Sequence, residues 1–121
     1  MKLEEPQALD AFAALSQETR LRMVRVLVQA GPDGLSAGAV GEAVGASSSG
    51  ASFHLAHLER SGLIESRRES RSIIYSASYD TLAGLVEFLM RDCCSGHPEI
   101  CAPAAAAAAA CSTARETACV C

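Results

Sequence analysis

The sequence predicts a mainly α-helical fold with one small β-hairpin, and three observations point to it. Half of its 121 residues are hydrophobic but only 4% are aromatic, so the core must be aliphatic and rich in alanine, which favours helices. Apolar side chains recur at helical spacing through most of residues 7–90. Between residues 63 and 78 the period changes, and β-branched and aromatic residues flank a charged turn.

The first two helices are predicted by apolar spacing and by the residues that flank them. Residues 7–15 form the first helix, and Ser16 is expected to cap a second one that Gly31 and Pro32 end. Such spacing directs a stripe of side chains toward a core, here Leu9, Phe12, Ala13, Leu15, Leu21, Val24, Leu27 and Val28.

Two shorter helices follow and meet near Gly45. Ser36 is expected to cap the first of them, which runs to Val44, and Ser47 to cap the second, which Gly62 ends. One side of the second helix is apolar, while its other side carries serine and histidine. Two short helices joined in this way predict a helix-turn-helix.

The runs "LIESRRES" and "RSIIYSAS" predict the two strands of the hairpin, joined by a charged turn. Asp80 is expected to cap a last helix. That helix is apolar on nearly two faces, through Leu82, Leu85, Val86 and Leu89. It is therefore either buried or in contact with another subunit. A hairpin that follows a helix-turn-helix is a wing, and the fold class is therefore a winged helix-turn-helix.

Composition and charge restrict the class of protein. No stretch approaches the roughly 20 apolar residues of a membrane span, and the first residues lack an apolar signal core, which predicts a cytoplasmic protein without membrane partners. The net charge of −4 argues weakly against nucleic acid. The distribution of charge matters more than the sum, and it is uneven: residues 47–75 hold four arginines against three glutamates, whereas residues 1–19 hold one lysine against four acids.

The candidate DNA-binding residues lie on the second helix of the helix-turn-helix and on the wing. Serine hydroxyls can bond phosphates or base edges, and arginines at the wing tip can reach the DNA backbone or minor groove. The exposed face of helix 47–61 also offers Phe53, His57 and Arg60. The predicted DNA-binding set is Ser48, Ser49, Ser52, His54, Arg67, Arg68 and Arg71.

Three segments, "FAALSQETRLRMVRVL", "SSSGASFHLAHLERSGLIESRRESRSIIYS" and "DCCSGHPEIC", together resemble the arsenic-responsive (ArsR-type) repressor family of bacterial winged-helix transcription factors. The resemblance covers residues 7–101, and its most specific part runs from Ser52 to Ile64. Ser70 stands where the family usually has glycine, and Gly50 where threonine is common. The resemblance implies a homodimer built from the first and last helices, whose two recognition helices enter successive major grooves of double-stranded operator DNA, about 34–36 Å apart.

The run "RDCCSGHPEIC" carries Cys93, Cys94 and Cys101 just after the last predicted helix. The family's best-known metalloid site, a Cys-Val-Cys on the first helix of the helix-turn-helix, is absent, since that stretch is "LSAGAVGEAV". A variant lineage of the family instead carries a Cys-Cys pair after the dimerisation helix and a third cysteine beyond a turn, which this run resembles. The resemblance implies As(III) or Sb(III) as an inducer ligand that releases the DNA.

The chemistry of the ligands supports the same site independently. Trivalent arsenic and antimony are soft and favour three thiolates in a pyramid. Zinc prefers four tetrahedral ligands, usually with cysteines two to four residues apart, which an adjacent pair does not provide. The alternatives are idle reduced cysteines, a Zn or Cd site completed by His97, and a DNA-binding redox sensor that uses the same thiols. His54 and His57 are more typical of helix-surface or packing groups than of metal ligands.

An enzyme, such as a thiol-based arsenate reductase, is a third class of function. It needs an activated nucleophile in a cleft, and the sequence has no evident oxyanion-binding loop or orienting carboxylate. We therefore expect no catalytic residue and no catalytic cofactor. The predicted organisation is a DNA-binding and dimerisation domain over residues 1–101 and a tail over residues 102–121, rich in alanine and cysteine, whose Cys111, Cys119 and Cys121 are alternative ligands.

Overall fold

Five α-helices and a three-stranded antiparallel sheet make up residues 3–90, the part of the chain that the computed structural model describes. The elements are α1 (Glu5–Leu15), α2 (Glu18–Ala30), β1 (Leu35–Ser36), α3 (Ala37–Val44), α4 (Ser48–Arg60), β2 (Ile64–Glu69), β3 (Ser72–Ala77) and α5 (Tyr79–Met90). The predicted fold class, a mainly helical winged helix-turn-helix, is confirmed. The predicted metalloid site at Cys93, Cys94 and Cys101 and the tail over residues 102–121 lie outside the described residues.

Helix α1 packs on the core through alanines. Ala8, Ala11 and Ala14 are buried, whereas the side chain of Leu9 is 60% exposed. The expectation that Leu9 faces the core is therefore wrong. The larger apolar side chains of α1 are divided: Phe12 and Leu15 pack against the core, partly buried, and Leu9 is left on the outside.

Helix α2 is capped by a different residue from the one predicted. The Gln17 side chain accepts a hydrogen bond of 2.8 Å from the backbone N–H of Arg20. Ser16, the predicted cap, instead ends α1, where its hydroxyl donates to the carbonyl oxygen of Ala13 at 2.8 Å. The buried residues of α2 are Met23, Val24 and Leu27, while Leu21, expected in the apolar stripe, is exposed.

Helices α3 and α4 form the predicted helix-turn-helix. Ser36 caps α3 by accepting from the N–H of Ala39 at 3.2 Å, and Ser47 caps α4 by accepting from Gly50 at 3.1 Å. Gly45 ends α3 in the left-handed conformation with φ of 73°, which glycine adopts without steric cost. All three local predictions are confirmed.

The hairpin β2–β3 is also confirmed, with a third strand that the sequence did not predict. The strand order is β1-β3-β2, and β1 pairs Leu35 with Tyr75 and Ser36 with Ile74. The turn between β2 and β3 places Ser70 at φ of 55°, the only non-glycine residue with positive φ in the described chain. This left-handed position explains why glycine is common there in the family that the sequence resembles.

Helix α5 begins at Tyr79, so Asp80 lies within its first turn and is not the cap that the sequence predicted. The Ser78 hydroxyl takes that place and accepts a hydrogen bond from the N–H of Thr81 at 3.3 Å. Leu85 is buried and Leu82 packs against the core, but Val86 and Leu89 are exposed. No helix within residues 3–90 is long and apolar enough to cross a bilayer.

The core sits between the helices and the base of the hairpin. Its largest fully buried side chains come from α2, α3, α4, the residue before β2 and the start of β2, namely Met23, Leu27, Val40, Leu55, Leu58, Leu63 and Ile64. These contacts fix α4 by its inner side and leave its outer side, together with the wing, on the surface.

Candidate nucleic-acid interface

The outer side of α4 is defined by the row of residues that α4 buries. Ala51, Leu55 and Leu58 are buried, and each residue turns the helix by about 100°. The side opposite this row carries Ser49, Phe53, Ala56 and Arg60, all of them exposed. Helix α4 therefore presents hydroxyl, aromatic and guanidinium groups to the solvent along one face.

Ser48 and Ser52 lie on the flank of α4 that borders α3. Both are exposed and, together with Gly41 and Ala51, they line a hollow of about 120 Å³ between the two helices. A Cβ atom added at Gly41 would stand 3.0 Å from the Cβ of Ala51, so the two helices are in close contact there. The predicted serines are thus all accessible, with Ser49 on the outer face and the other two beside α3.

His54 is placed differently from the predicted serines. It is partly buried, and its Nδ1 lies 3.3 Å from Nη1 of Arg20, whose Nε donates to the carbonyl oxygen of Ala14 at 2.8 Å. Because a guanidinium has only donors, Nδ1 of His54 is the acceptor and its Nε2 carries the proton. Arg20 therefore ties α4 to the end of α1, a positioning contact that no local pattern in the sequence indicates.

His57 is half-buried on α4, one helical turn before Ser61. Desolvation, followed by the charges of Arg20, Arg60 and His54, holds the pKa of His57 below the ordinary histidine value of 6.5. His57 is therefore uncharged at neutral pH, and Arg60 supplies the fixed positive charge at this end of α4.

The two faces of the wing differ in charge. Residues that pair directly in an antiparallel ladder project to the same face, and successive residues alternate. Ile64, Ser66 and Arg68 share one face with Ala77, Tyr75 and Ile73, and on this face the Ser66 hydroxyl donates to the Glu59 carboxylate of α4 at 2.5 Å. The wing face directed toward α4 therefore carries Arg68 as its cation.

The other wing face carries Glu65, Arg67 and Glu69. The Arg67 guanidinium is engaged within the protein: Nε donates to Glu69 at 2.6 Å, Nη1 to the carbonyl oxygen of Pro32 at 3.2 Å, and Nη2 to that of Asp33 at 2.6 Å. These bonds hold the wing to the turn that follows α2. Arg67 thus has structural partners, which the sequence did not predict.

Arg68 and Arg71 are exposed, and neither guanidinium has a hydrogen bond or ion pair with another group among residues 3–90. Of the three arginines predicted for the wing, these two have guanidinium groups available for an external anion. With Arg60, they frame a surface on which the α4 serines are accessible. We name this surface the α4–wing face, defined by Ser48, Ser49, Ser52, Phe53, Arg60, Arg68 and Arg71.

All six cysteines lie after residue 90, so the described residues contain no thiol. Within residues 3–90, no three histidine, aspartate or glutamate side chains are grouped so that they could hold a metal ion. The described part of the chain therefore offers the α4–wing face as its candidate functional surface.

Comparisons with known proteins agree with this geometry. A family model described as a helix-turn-helix domain matches residues 15–67. The HTH-type transcriptional regulator YceK of Bacillus subtilis is 39% identical over 82 residues, which cover 64% of this chain and 81% of that protein.

The chain is also similar to solved structures of transcriptional regulators. An ArsR-like transcriptional regulator from Rhodococcus sp. RHA1 is 29% identical, with a TM-score of 0.66 over 80% of this chain and 89% of that one. The homodimeric winged helix-turn-helix domain of Mb0332 from Mycobacterium bovis is 27% identical, with a TM-score of 0.58 over 76% of this chain and 85% of that one.

Proposed function

The chain belongs to the ArsR/winged-helix family of transcriptional regulators, and on that premise we propose that it binds double-stranded operator DNA as a homodimer and is released by As(III) or Sb(III). The observation that carries the DNA-binding part is the α4–wing face. It joins an exposed recognition helix to a wing face whose arginine has no partner in the described chain. Serines supply donors and acceptors for base edges, while Arg68 and Arg71 supply charge for phosphates.

The homodimer is supported by apolar side chains that a single chain leaves uncovered. Leu9 on α1 and Val86 and Leu89 on α5 are all at least half exposed. These are the two helices that the family uses for dimerisation, and the related Mb0332 domain is homodimeric. In a twofold dimer, the two chains contact each other through the same patch of surface. Apolar side chains on one patch can therefore be covered by the same patch of the second copy.

The DNA-binding part predicts a difference between the arginines of the wing. Replacing Arg68 by alanine should weaken binding to every DNA sequence and reduce the slope of log affinity against log salt by about 0.9, the loss of one phosphate contact. Replacing Arg67 should leave the slope nearly unchanged, because its guanidinium is already bonded to Glu69 and to the turn at residues 32–33. Fluorescence anisotropy with labelled duplex DNA at four salt concentrations measures both quantities.

The proposed wing contact would be contradicted in two ways. If Arg68→Ala and Arg71→Ala both keep the affinity and the salt slope of the wild type, the wing does not contact DNA. If Arg67→Ala lowers the slope as much as Arg68→Ala, the two faces of the wing are not distinct in function. Arg22→Ala is the matched control, because Arg22 lies on α2 and pairs with Glu18 at 2.7 Å.

The metalloid part of the proposal rests on the position of the cysteines in the chain. Cys93 follows Met90, the last described residue of α5, by three positions. Sulfurs bound to one metalloid atom must lie within a few ångströms of one another, so binding constrains the segment from Cys94 to Cys101 and the end of α5 that precedes it. Release requires that the free protein bind the metalloid more tightly than the DNA-bound protein, commonly by ~1–3 kcal/mol.

Single replacements of the cysteines test this part. Cys93→Ser, Cys94→Ser and Cys101→Ser should each keep DNA affinity and lose release by arsenite or antimonite, which anisotropy of the preformed DNA complex measures during metalloid titration. Cys111→Ser, Cys119→Ser and Cys121→Ser are matched controls in the tail and should respond as the wild type does. Full response in the first three variants would disprove the site, and loss in the tail variants alone would move it there.

The same titration separates the alternatives. A strong reductant is present throughout, so a redox sensor would not respond to the metalloid and would respond only when the reductant is replaced by an oxidant. A Zn or Cd sensor would release DNA on addition of those ions and not on addition of arsenite.

A further inference from the structure

Phe53 has an unusual position for an aromatic side chain. It is 63% exposed, the highest value for a large hydrophobic residue among residues 3–90. It lies on α4 opposite the buried row, one helical turn after Ser49. Its ring packs edge-on against the ring of the neighbouring His54, with centroids 5.4 Å apart and planes at 68°. Phe53 therefore contributes little to the core and needs another explanation.

Neither the proposed dimer contact nor an apolar docking patch for another protein accounts for the exposure of Phe53. The uncovered apolar side chains of the dimer surface are on α1 and α5, whereas Phe53 is on α4. The neighbours of Phe53 on the outer face of α4 are a serine, an alanine and an arginine, so this helix face carries no contiguous apolar patch for another protein. An isolated ring among polar groups that face DNA fits a small apolar group of the DNA itself.

The major groove of B-DNA offers one apolar group on its base edges, the 5-methyl of thymine. Recognition helices touch bases with residues near their N-terminus, and Phe53 is the sixth residue of α4. A phenyl ring has no donor or acceptor, so it cannot read the other groups of the base edges. The ring of Phe53 contacts His54, which in turn lies 3.3 Å from Nη1 of Arg20 through its Nδ1.

We propose that Phe53 determines sequence specificity by packing on the 5-methyl group of one thymine in each operator half-site. This inference rests on the proposed DNA-binding function and adds the chemistry of one base contact to it. The serines of the α4–wing face then read hydrogen-bonding groups of neighbouring bases. The operator is expected to require thymine at one symmetric pair of positions.

Replacement of thymine by uracil removes the methyl group and leaves the hydrogen-bonding edge intact. The operator is first selected from random duplexes, and each thymine pair is then replaced by uracil in turn. At one pair the affinity of the wild type should fall about fourfold per methyl, the effect of ~0.8 kcal/mol for one buried carbon. Phe53→Ala should bind the same operator more weakly and show no uracil penalty at that pair.

Two further variants make the test specific. Phe53→Leu keeps an apolar side chain and should retain a uracil penalty at the same pair. Leu21→Ala removes an exposed apolar side chain from α2 and should retain the full penalty. All variants should melt as the wild type does, because both side chains are exposed.

The outcomes separate the inference from the function on which it rests. If the wild type binds the operator but shows no uracil penalty at any position, Phe53 does not read a methyl group and the DNA-binding function stands. The same conclusion follows if Phe53→Ala keeps the penalty of the wild type. If the wild type selects no duplex at all, the proposed function fails and the inference fails with it.

Discussion

Replacement of Gly34 by alanine should lower the thermal midpoint of the protein by roughly 10–20 °C, as expected for a loss of several kcal/mol in a domain of this size. Gly34 lies in the turn between α2 and β1 with φ of 71°, a conformation that costs an alanine about 1–2 kcal/mol. The larger cost is steric. A Cβ atom there would stand 2.3 Å from the backbone oxygen of Tyr75 and 2.9 Å from Cγ2 of Ile74.

This clash cannot be relieved by a side-chain rotation, because the nearest atom belongs to the backbone of β3. Strand β3 pairs with both β1 and β2, so its displacement would disturb the whole sheet and the base of the wing. Thermal unfolding followed by circular dichroism measures the effect. We expect a lower midpoint and, at 37 °C, a partly unfolded population.

Gly38→Ala is the matched control for Gly34→Ala. Gly38 lies in the first turn of α3 with no atom within 4 Å of the added Cβ, so alanine should be neutral or stabilise the helix by up to ~1 kcal/mol. Equal midpoints for the two variants would show that β3 tolerates a side chain at position 34 and that the packing of this turn is looser than described.

The second large effect is expected at Leu89. Its side chain is 62% exposed in the single chain, and we propose that it takes part in the dimer contact made by α1 and α5. Leu89→Glu would place an unpaired carboxylate in that contact, which is costly because a charge without a partner is poorly tolerated away from water. Analytical ultracentrifugation should find a monomer, and operator affinity should fall at least tenfold because only one half-site is engaged.

Leu89→Met provides the control, since it keeps an apolar side chain of similar volume and should remain dimeric. Circular dichroism distinguishes dissociation from unfolding, and both variants should have the wild-type helical content because position 89 is exposed. An intact dimer with glutamate at position 89 would exclude this end of α5 from the interface.

Local features of the fold could be predicted from the sequence because they depend on residues within one turn of a helix. Ser36 and Ser47 cap helices through hydrogen bonds to residues three positions later, and Gly45 ends one through its own conformation. The sequence predicted the wrong capping residue where two nearby polar residues could each cap the same helix. Gln17 caps α2 although Ser16 precedes it, and Ser78 acts for α5 although Asp80 follows.

Features that depend on distant residues could not be predicted. Two of the three partners of the Arg67 guanidinium, the carbonyl oxygens of Pro32 and Asp33, are more than thirty positions earlier in the chain, so the three wing arginines are equivalent in sequence and distinct in structure. Strand β1 has two residues, too few for a pattern, and exists only because β3 lies beside it. The serines of the candidate DNA surface could be predicted from the polarity of α4, whereas the exposure of Phe53 required the packing.

Ser36 has two roles that connect the sheet to the helix-turn-helix. It pairs with Ile74 of β3 in the sheet, and its hydroxyl caps α3. Breaking the β1–β3 ladder would therefore also displace the residue whose hydroxyl caps the N-terminus of α3. In terms of cooperativity, the base of the wing and α3 form one folding unit, and their amide hydrogens should exchange with solvent through a common opening. The turn at Ser70 has no such connection, so the tip of the wing can fray without loosening α3 and α4.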